Sequence, residues 1–293
     1  MKKLLLNAFF FLSILFSLTL VACSGSAEND EQQQTTDSLI NEEITDSLTQ
    51  NFVYEDGVVY TKYNLPLPVD LFLSLKETNS TFNSEILNAP QNAGLYNTSI
   101  IKAVNFGIYA ADLAYCNIFE KNQDAIIYFH VTKQLADELN IDKGYDESII
   151  ERLEANIANS DSLNKIATKS YWDACNYLEK NDNINILPFI VSGGWVETMY
   201  LAINSNDSNE KMMQKVASQK TSLENLMKYL YDVMMDSNTF IVNEDVQDLG
   251  FKFAELKKIY DQLETSGDKI LITEAQFKLI ASEIEKIRNI YSK

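Results

Sequence analysis

Histidine is almost absent from this sequence, because His130 is the only one among 293 residues. A di-iron helical bundle needs Glu-x-x-His motifs on two helices, and a helical zinc site needs two histidines four residues apart. A single histidine excludes both, and we expect His130 to be a core or edge residue rather than a catalytic base. The chain also lacks a Gly-x-Ser-x-Gly elbow, a phosphate-binding glycine loop and an Asp-rich calcium loop. We therefore predict no metal and no cofactor.

Basic residues are scarce as well. There are 24 Lys and Arg against 42 Asp and Glu, which gives a formal charge of -18. Nucleic acids bind largely through Lys and Arg that release counterions from the phosphates, so this balance excludes nucleic acid as a partner. An anionic membrane surface would also repel the chain. Attachment to a membrane must therefore come from a lipid or from an apolar segment.

Cys23 is one of only three cysteines and has the most informative surroundings. It follows Leu20-Val21-Ala22 at the end of an apolar run with a basic N-terminus. This pattern resembles a bacterial lipoprotein signal with its lipobox. It implies a signal peptide over 1–22, lipidation of Cys23 and anchoring in the cell envelope, where we expect the periplasmic or surface face of the outer membrane. The alternative is an uncleaved anchor, because about 20 apolar residues span a bilayer.

Residues 23–51 differ in composition from everything that follows. They contain seven acids, no Lys or Arg, and few large apolar side chains. Such a segment buries too little surface to offset its ordering entropy, so we predict a disordered acidic tether. Within it, Asp-Ser-Leu occurs twice and resembles the O-glycosylation acceptor of Bacteroidota, which implies glycosylation at Ser38 and Ser47. A third copy, Asp161-Ser162-Leu163, is better explained as a helix start.

The remaining residues, 52–293, are predicted to form one all-α domain built as a bundle of helical hairpins. Asp56-Gly57, between two β-branched and aromatic runs, predicts one small β-hairpin before the helices. Near the C-terminus, apolar residues recur at alternating spacings of three and four, the period of an amphipathic helix. They are Val246, Leu249, Phe253, Leu256, Tyr260 and Leu263, then Phe277, Ile280, Ile284, Ile287 and Tyr291.

The two stripes predict an antiparallel pair of helices with a break at Thr265-Ser266-Gly267-Asp268. A capping box of Thr273 and Gln276 is expected to begin the second. Shorter stripes predict helices over about 161–180 and 209–236. A subdivision of the domain near 205–245 is left open.

Two predicted helices, about 104–119 and 190–204, are apolar almost all round, which marks them as central and buried. On the first, four residues fall at i, i+4, i+7 and i+11 and form one polar line along a single face. They are Asn105, Tyr109, Asp112 and Cys116. The sequences around Gly107 and Gly194 are weak copies of one unit. The glycines of Ser192-Gly193-Gly194 are expected to allow close helix packing. Cys116 and Cys175 are left open as a disulfide or as two buried thiols.

Buried carboxylates must be hydrogen-bonded, paired, protonated or next to a wet cavity. In one interpretation Asp112 and Glu197 are structural and bridge neighbouring helices through tyrosine and asparagine partners. In the other they line a cleft suited to a cationic or sugar-like ligand, because carboxylates and aromatic faces bind such ligands. The predicted ligand-binding residues of that cleft are Tyr109, Asp112, Tyr115, Trp195, Glu197 and Tyr200.

Three segments, Leu65-Pro-Leu-Pro, the helix from Asn105 to Tyr115 and the helix that begins Gly193-Gly-Trp-Val-Glu, resemble an uncharacterised family of Bacteroidota lipoproteins. The resemblance implies an envelope location and a helical fold, but no activity or catalytic residue. We expect a membrane-anchored module whose central cleft binds an unknown small molecule or an envelope protein. The alternatives are an assembly role in an envelope complex and, less favoured by these residues, a carboxylate-based hydrolase.

Overall fold

The computed structural model of this chain describes most of the predicted helical domain. The described residues are Leu71, Phe72, Leu75, 80–141, 148–156, 159–180, 184–205, 210–235, 244–267 and 269–292. All of them belong to one compact unit, which comprises residues 61–293. The signal peptide, Cys23, the tether with Ser38 and Ser47, and the hairpin expected at Asp56-Gly57 lie outside the described residues and stay predictions. Within the described part, no helix combines the length and the apolarity needed to cross a membrane.

Helices make up 80% of the structure, which confirms the all-α class. The α-helices are α1 (Ser99–Ile118), α2 (Asn122–Glu138), α3 (Ile149–Ala155), α4 (Ser160–Lys180), α5 (Leu187–Asn204), α6 (Glu210–Ser218), α7 (Lys220–Met234), α8 (Glu244–Tyr260) and α9 (Glu274–Tyr291). Short 3-10 helices cover Ser84–Ile86, Pro90–Leu95 and Ile184–Ile186. Strands β1 (Glu264–Ser266) and β2 (Lys269–Leu271) pair antiparallel between α8 and α9.

The ends of the first two helices follow from their sequences. Thr98 caps α1, because its side chain accepts a hydrogen bond from a backbone N–H in the first turn. Glu120 follows α1 with φ of 57°, and Asn140 follows α2 with φ of 58°. In both cases the next residue donates its N–H back to the last turn of the helix, at 2.8 and 2.9 Å. A left-handed residue therefore ends each helix of the α1–α2 hairpin.

The backbones of α1 and α5 touch at the centre of the domain. A Cβ added to Gly107 would lie 2.0 Å from the carbonyl oxygen of Ile190, and one added to Gly193 would lie 2.0 Å from that of Val104. Only glycine permits so close an approach. The expectation of close glycine packing between the two central helices is therefore confirmed.

Contacts further along show that α1 and α5 run in the same direction. Val104 meets Gly193 near the start of both helices, and Tyr115 and Ser205 lie 3.0 Å apart, from Oη to Oγ, near their ends. Both helices are buried along nearly their whole length, as their sequences predicted. The contact therefore places the residues five to eight positions beyond Gly107 opposite the second half of α5.

The C-terminal hairpin of α8 and α9 is present, and both predicted stripes are buried except for Tyr291, which is partly buried. Thr273 and Gln276 form the predicted capping box. The break between the helices holds β1 and β2, with Gly267 at the tip in a left-handed conformation, φ of 61°. Three-residue strands of mostly exposed residues leave no periodic signal, so the sequence predicted only a break here.

Three sequence-based details need correction. The helix expected over about 209–236 is two helices, because the N–H of Gln219 bonds the carbonyl three residues back, at Val216, and ends α6 there. The start of α4 is capped by Asn159, whose side chain accepts from the N–H of Ser162 at 2.9 Å. His130 is an exposed residue of α2 and so is not a core residue.

The glycine contact yields a direct test with a matched control. Gly107→Ala and Gly193→Ala should each lower the free energy of unfolding by at least about 3 kcal/mol, because the new methyl group meets a backbone oxygen that cannot rotate away. Gly194→Ala should be neutral or stabilising, since its Cβ would find its nearest neighbour at 3.5 Å and alanine favours helix. Urea unfolding of the three variants measures this. Equal stability of all three would show that the helices lie further apart.

Candidate functional site

Glu197 of α5 and Arg288 of α9 form an ion pair at the centre of the domain. Arg288 Nε donates to Glu197 Oε2 at 2.5 Å and Nη2 donates to Oε1 at 2.9 Å, so the pair is bidentate. The Glu197 side chain is fully buried and that of Arg288 is 10% exposed. The guanidinium carbon lies 4.1 Å from the centre of the Tyr200 ring, which covers the charge with an aromatic face.

Asp112 of α1 is the third member of this cluster. Its Oδ2 accepts from the backbone N–H of Asn88 at 3.2 Å, while Oδ1 has no donor within reach among the described residues. The carboxyl groups of Asp112 and Glu197 lie close enough to share a hydrogen bond, which requires a proton on one of them. Burial, and next the nearby charge of Glu197, raise the pKa of Asp112 well above its usual range.

We assign the proton to Asp112. Burial also raises the pKa of Glu197, but the charge and hydrogen bonds of Arg288 and the hydrogen bond with Asp112 act in the opposite direction. Arg288 binds Glu197 directly with two donors, whereas Asp112 accepts one backbone N–H. The cluster is then one cation, one anion and one neutral acid. A neutral sum avoids the desolvation cost of an uncompensated buried charge.

A segment of the chain lies over the polar line of α1. We call Asn83–Tyr96 the strap, and the side chains of Asn105, Tyr109, Asp112, Tyr115 and Arg288 the groove. Four backbone groups of the strap are bound by the groove. The Asn83 N–H donates to Tyr115 Oη at 3.2 Å and the Asn88 N–H to Asp112, while the carbonyls of Ile86 and Ala89 accept from Arg288 Nη2 at 3.2 Å and Tyr109 Oη at 2.8 Å.

One side chain of the strap enters the groove. Asn88 is 3% exposed, and its Nδ2 donates to Asn105 Oδ1 at 3.1 Å and to Tyr96 Oη at 2.9 Å. Asn105 in turn donates to the carbonyl of Tyr291 at 2.8 Å, at the end of α9. The strap, α1 and α9 are thus joined by an amide network in which each buried group named has a partner.

The six predicted cleft residues occupy different parts of the domain. Asp112, Glu197 and Tyr200 meet around Arg288, and Tyr109 lies one step along the groove. Tyr115 lies at the far end of the strap, between Asn83 and Ser205. Trp195 faces elsewhere: its indole N–H donates to Ser222 Oγ at 2.9 Å and its ring packs 5.8 Å from that of Phe253. The six side chains therefore do not line one common cleft.

Arg288 was not identified from the sequence as a residue of the site, although its position in the sequence indicated one. It is one of only two arginines in the chain and falls beside Ile287 on the apolar stripe of α9. Charged residues are almost never fully buried unless paired. Two acids on apolar helices and one arginine on an apolar stripe together indicate a buried ion pair.

The arrangement leaves little room for carboxylate chemistry. A glycosidase holds its two acids about 5 to 10 Å apart across a cleft, whereas Asp112 and Glu197 lie close enough to share a hydrogen bond. A cavity beside Ser192 and Arg288 has a volume of about 10 Å³, enough for one water at most. In the described residues, no three His, Cys, Asp or Glu side chains come together to hold a metal. Cys116 and Cys175 are buried and no disulfide joins them.

The cluster predicts opposite outcomes for its two acids. Asp112→Asn keeps a donor for Glu197 and an acceptor for Asn88, so it reproduces the protonated acid. Since the folded pKa of Asp112 lies above its unfolded value of about 3.9, the wild type loses stability as pH rises above about 4, whereas Asn does not titrate. The variant should match the wild type near pH 4 and gain about 1.4 kcal/mol per pH unit above it, until the folded pKa is reached.

Glu197→Gln is the matched comparison. It leaves the Arg288 charge buried without its carboxylate, which should cost about 3 to 5 kcal/mol at pH 7. Urea unfolding of both variants from pH 4 to pH 8 measures the two effects. An equal loss of stability in both at pH 7 would show that Asp112 is ionised in the folded protein.

Comparison of the chain with protein-family models, with curated proteins and with solved structures gave no match in any of the three. The groove and its strap are therefore the features from which a function can be inferred.

Proposed function

We propose that this chain is a lipid-anchored protein of the bacterial cell envelope whose helical domain binds a protein partner. The location is supported by the lipobox at Cys23 and by the resemblance to Bacteroidota lipoproteins. The outer membrane, on its periplasmic or surface face, is the proposed site of attachment. Glycosylation of the tether at Ser38 and Ser47 belongs to the same proposal.

The observation that supports a protein partner is the chemistry of the groove. Its side chains bind the backbone N–H and C=O groups of a polypeptide segment. A cationic ligand would need an uncompensated carboxylate, but Glu197 is already neutralised by Arg288. A sugar would need an open cleft with several free donors and acceptors, whereas these are bound to the strap. Recognition of polypeptide is the function for which this site is equipped.

The anchor is tested by Cys23→Ala. Without its acyl chains, each methylene of which contributes about 0.8 kcal/mol of membrane affinity, the exported protein should leave the membrane fraction. Ser24→Ala, which keeps the cysteine, should remain membrane-bound. Fractionation after a salt wash and mass spectrometry of the N-terminus measure this. An exported Ala variant that still pellets with membranes would refute the lipid anchor.

The partner is tested in cells by site-specific photocrosslinking. Leu95, on the strap, is 69% exposed and is the most exposed large apolar side chain in the described residues. A photoreactive residue at this position should give one discrete crosslinked protein, because Leu95 lies on the segment that covers the groove. The exposed Glu224 of α7 serves as the control position. No product at Leu95, or the same products at both positions, would contradict the proposal.

A further inference from the structure

The strap contacts the groove as a bound peptide would. Backbone groups at four positions along seven residues are bound by side chains of α1 and α9, and Asn88 supplies one buried side-chain anchor. Peptide-recognition grooves give the backbone and the side chains the same separate roles. Main-chain hydrogen bonds provide affinity, and a side-chain pocket provides specificity. The remaining backbone hydrogen bonds described for the strap are local, such as those from Leu87 to Ser84 and from Asn92 to Ala89.

We propose that the groove is a peptide-binding site and that the strap is its occupant in cis, which a partner segment displaces. The partner segment is extended and uncharged at its centre, with an asparagine at the place of Asn88. This inference rests on the proposed function in one respect, since it names how the protein partner would be recognised. The strap then acts as an autoinhibitory segment whose release opens the groove.

The chemistry of the groove defines the partner segment. Asn105 Oδ1 accepts from a side-chain amide, and Asp112 accepts from the backbone N–H of the same residue. Tyr109 Oη donates to the carbonyl of the next residue, so that carbonyl must be free in the partner segment. An acid in place of Asn88 would lose the donor to Asn105 Oδ1 and bring an unpaired negative charge into a buried site. A lysine could donate to Asn105 but would offer no acceptor in place of Asn88 Oδ1, to which Asn92 Nδ2 donates at 2.9 Å.

The strap is suited to separate from the helices without unfolding them. It contains only short 3-10 helices, which are poorly stabilised on their own. Its buried apolar side chains are Leu87, Ala93 and Tyr96, whereas α1 and α5 bury most of their residues. Segments with few buried apolar contacts open at lower free energy than the core.

The first test is native-state hydrogen exchange on the lipidated chain in detergent. The backbone amides of Asn83 and Asn88 should exchange at least tenfold faster than the central amides of α1. They should do so through an opening of the strap that leaves those central amides protected. The central amides of α5 are the internal control. Exchange of the strap amides only together with α1 would overturn the proposal, because the strap would then be an inseparable part of the core.

The second test adds the strap as a labelled peptide of residues 83–96 and measures fluorescence anisotropy. Asn88→Ala in the protein weakens the strap but leaves the groove unchanged, so this variant should bind the peptide at least tenfold more tightly than the wild type does. A peptide that itself carries Asn88→Ala should bind the variant at least tenfold more weakly. Circular dichroism confirms that the variant is folded.

The outcomes separate this inference from the proposed function. The proposed peptide exchange would be refuted if the folded variant and the wild type bound the peptide equally well. It would also be refuted if the variant bound both peptides equally well. A crosslinked partner at Leu95 would in that case still support a protein-binding module. Peptide exchange without any crosslinked partner in cells would instead support the groove and refute the proposed function.

Discussion

The close approach of α1 and α5 is the constraint on which the rest of this structure depends. Because Gly107 and Gly193 let the two backbones touch, residues beyond the contact on each helix are brought within hydrogen-bond distance. Asp112 and Glu197 are therefore forced together in a site with almost no exposure to solvent. Two ionised carboxylates at that distance would repel each other strongly in a low dielectric. One proton and one arginine resolve this repulsion, and the packing of the apolar stripe of α9 brings that arginine, Arg288, to Glu197.

Much of this architecture was predictable from local sequence signals. The 3.6-residue periodicity predicted α8 and α9, and Thr273 with Gln276 predicted the capping box. The nearly continuous apolar sequence of α1 and α5 predicted that both helices are central. Those signals are carried by residues close together in the sequence. The break inside 209–236 and the β1–β2 hairpin were not predictable in the same way, because they depend on single hydrogen bonds and short exposed strands.

The site was predictable only in part, for a reason of the same kind. The polar line on α1 and the acid on α5 are visible in the sequence, and the need for a partner follows from the cost of buried charge. That the partner is Arg288, 91 residues from Glu197, depends on how α9 packs. That the strap covers Asn105, Tyr109 and Asp112 depends on a segment without helical or strand periodicity. Patterns within a helix do not encode contacts between distant segments.

The charge of the groove explains why it suits a polypeptide. The chain is strongly acidic, yet the buried cluster of Asp112, Glu197 and Arg288 is neutral. The strap meets this cluster with amides, carbonyls and backbone N–H groups. A neutral site holds a neutral peptide backbone without the cost of desolvating a charge on either side. Arg288 takes part in both the ion pair and the contact with the strap, because Nη2 donates to Glu197 and to the Ile86 carbonyl. The ion pair that closes the core thus also orients a donor toward the strap, and recognition of backbone follows from the same contact that stabilises the helices.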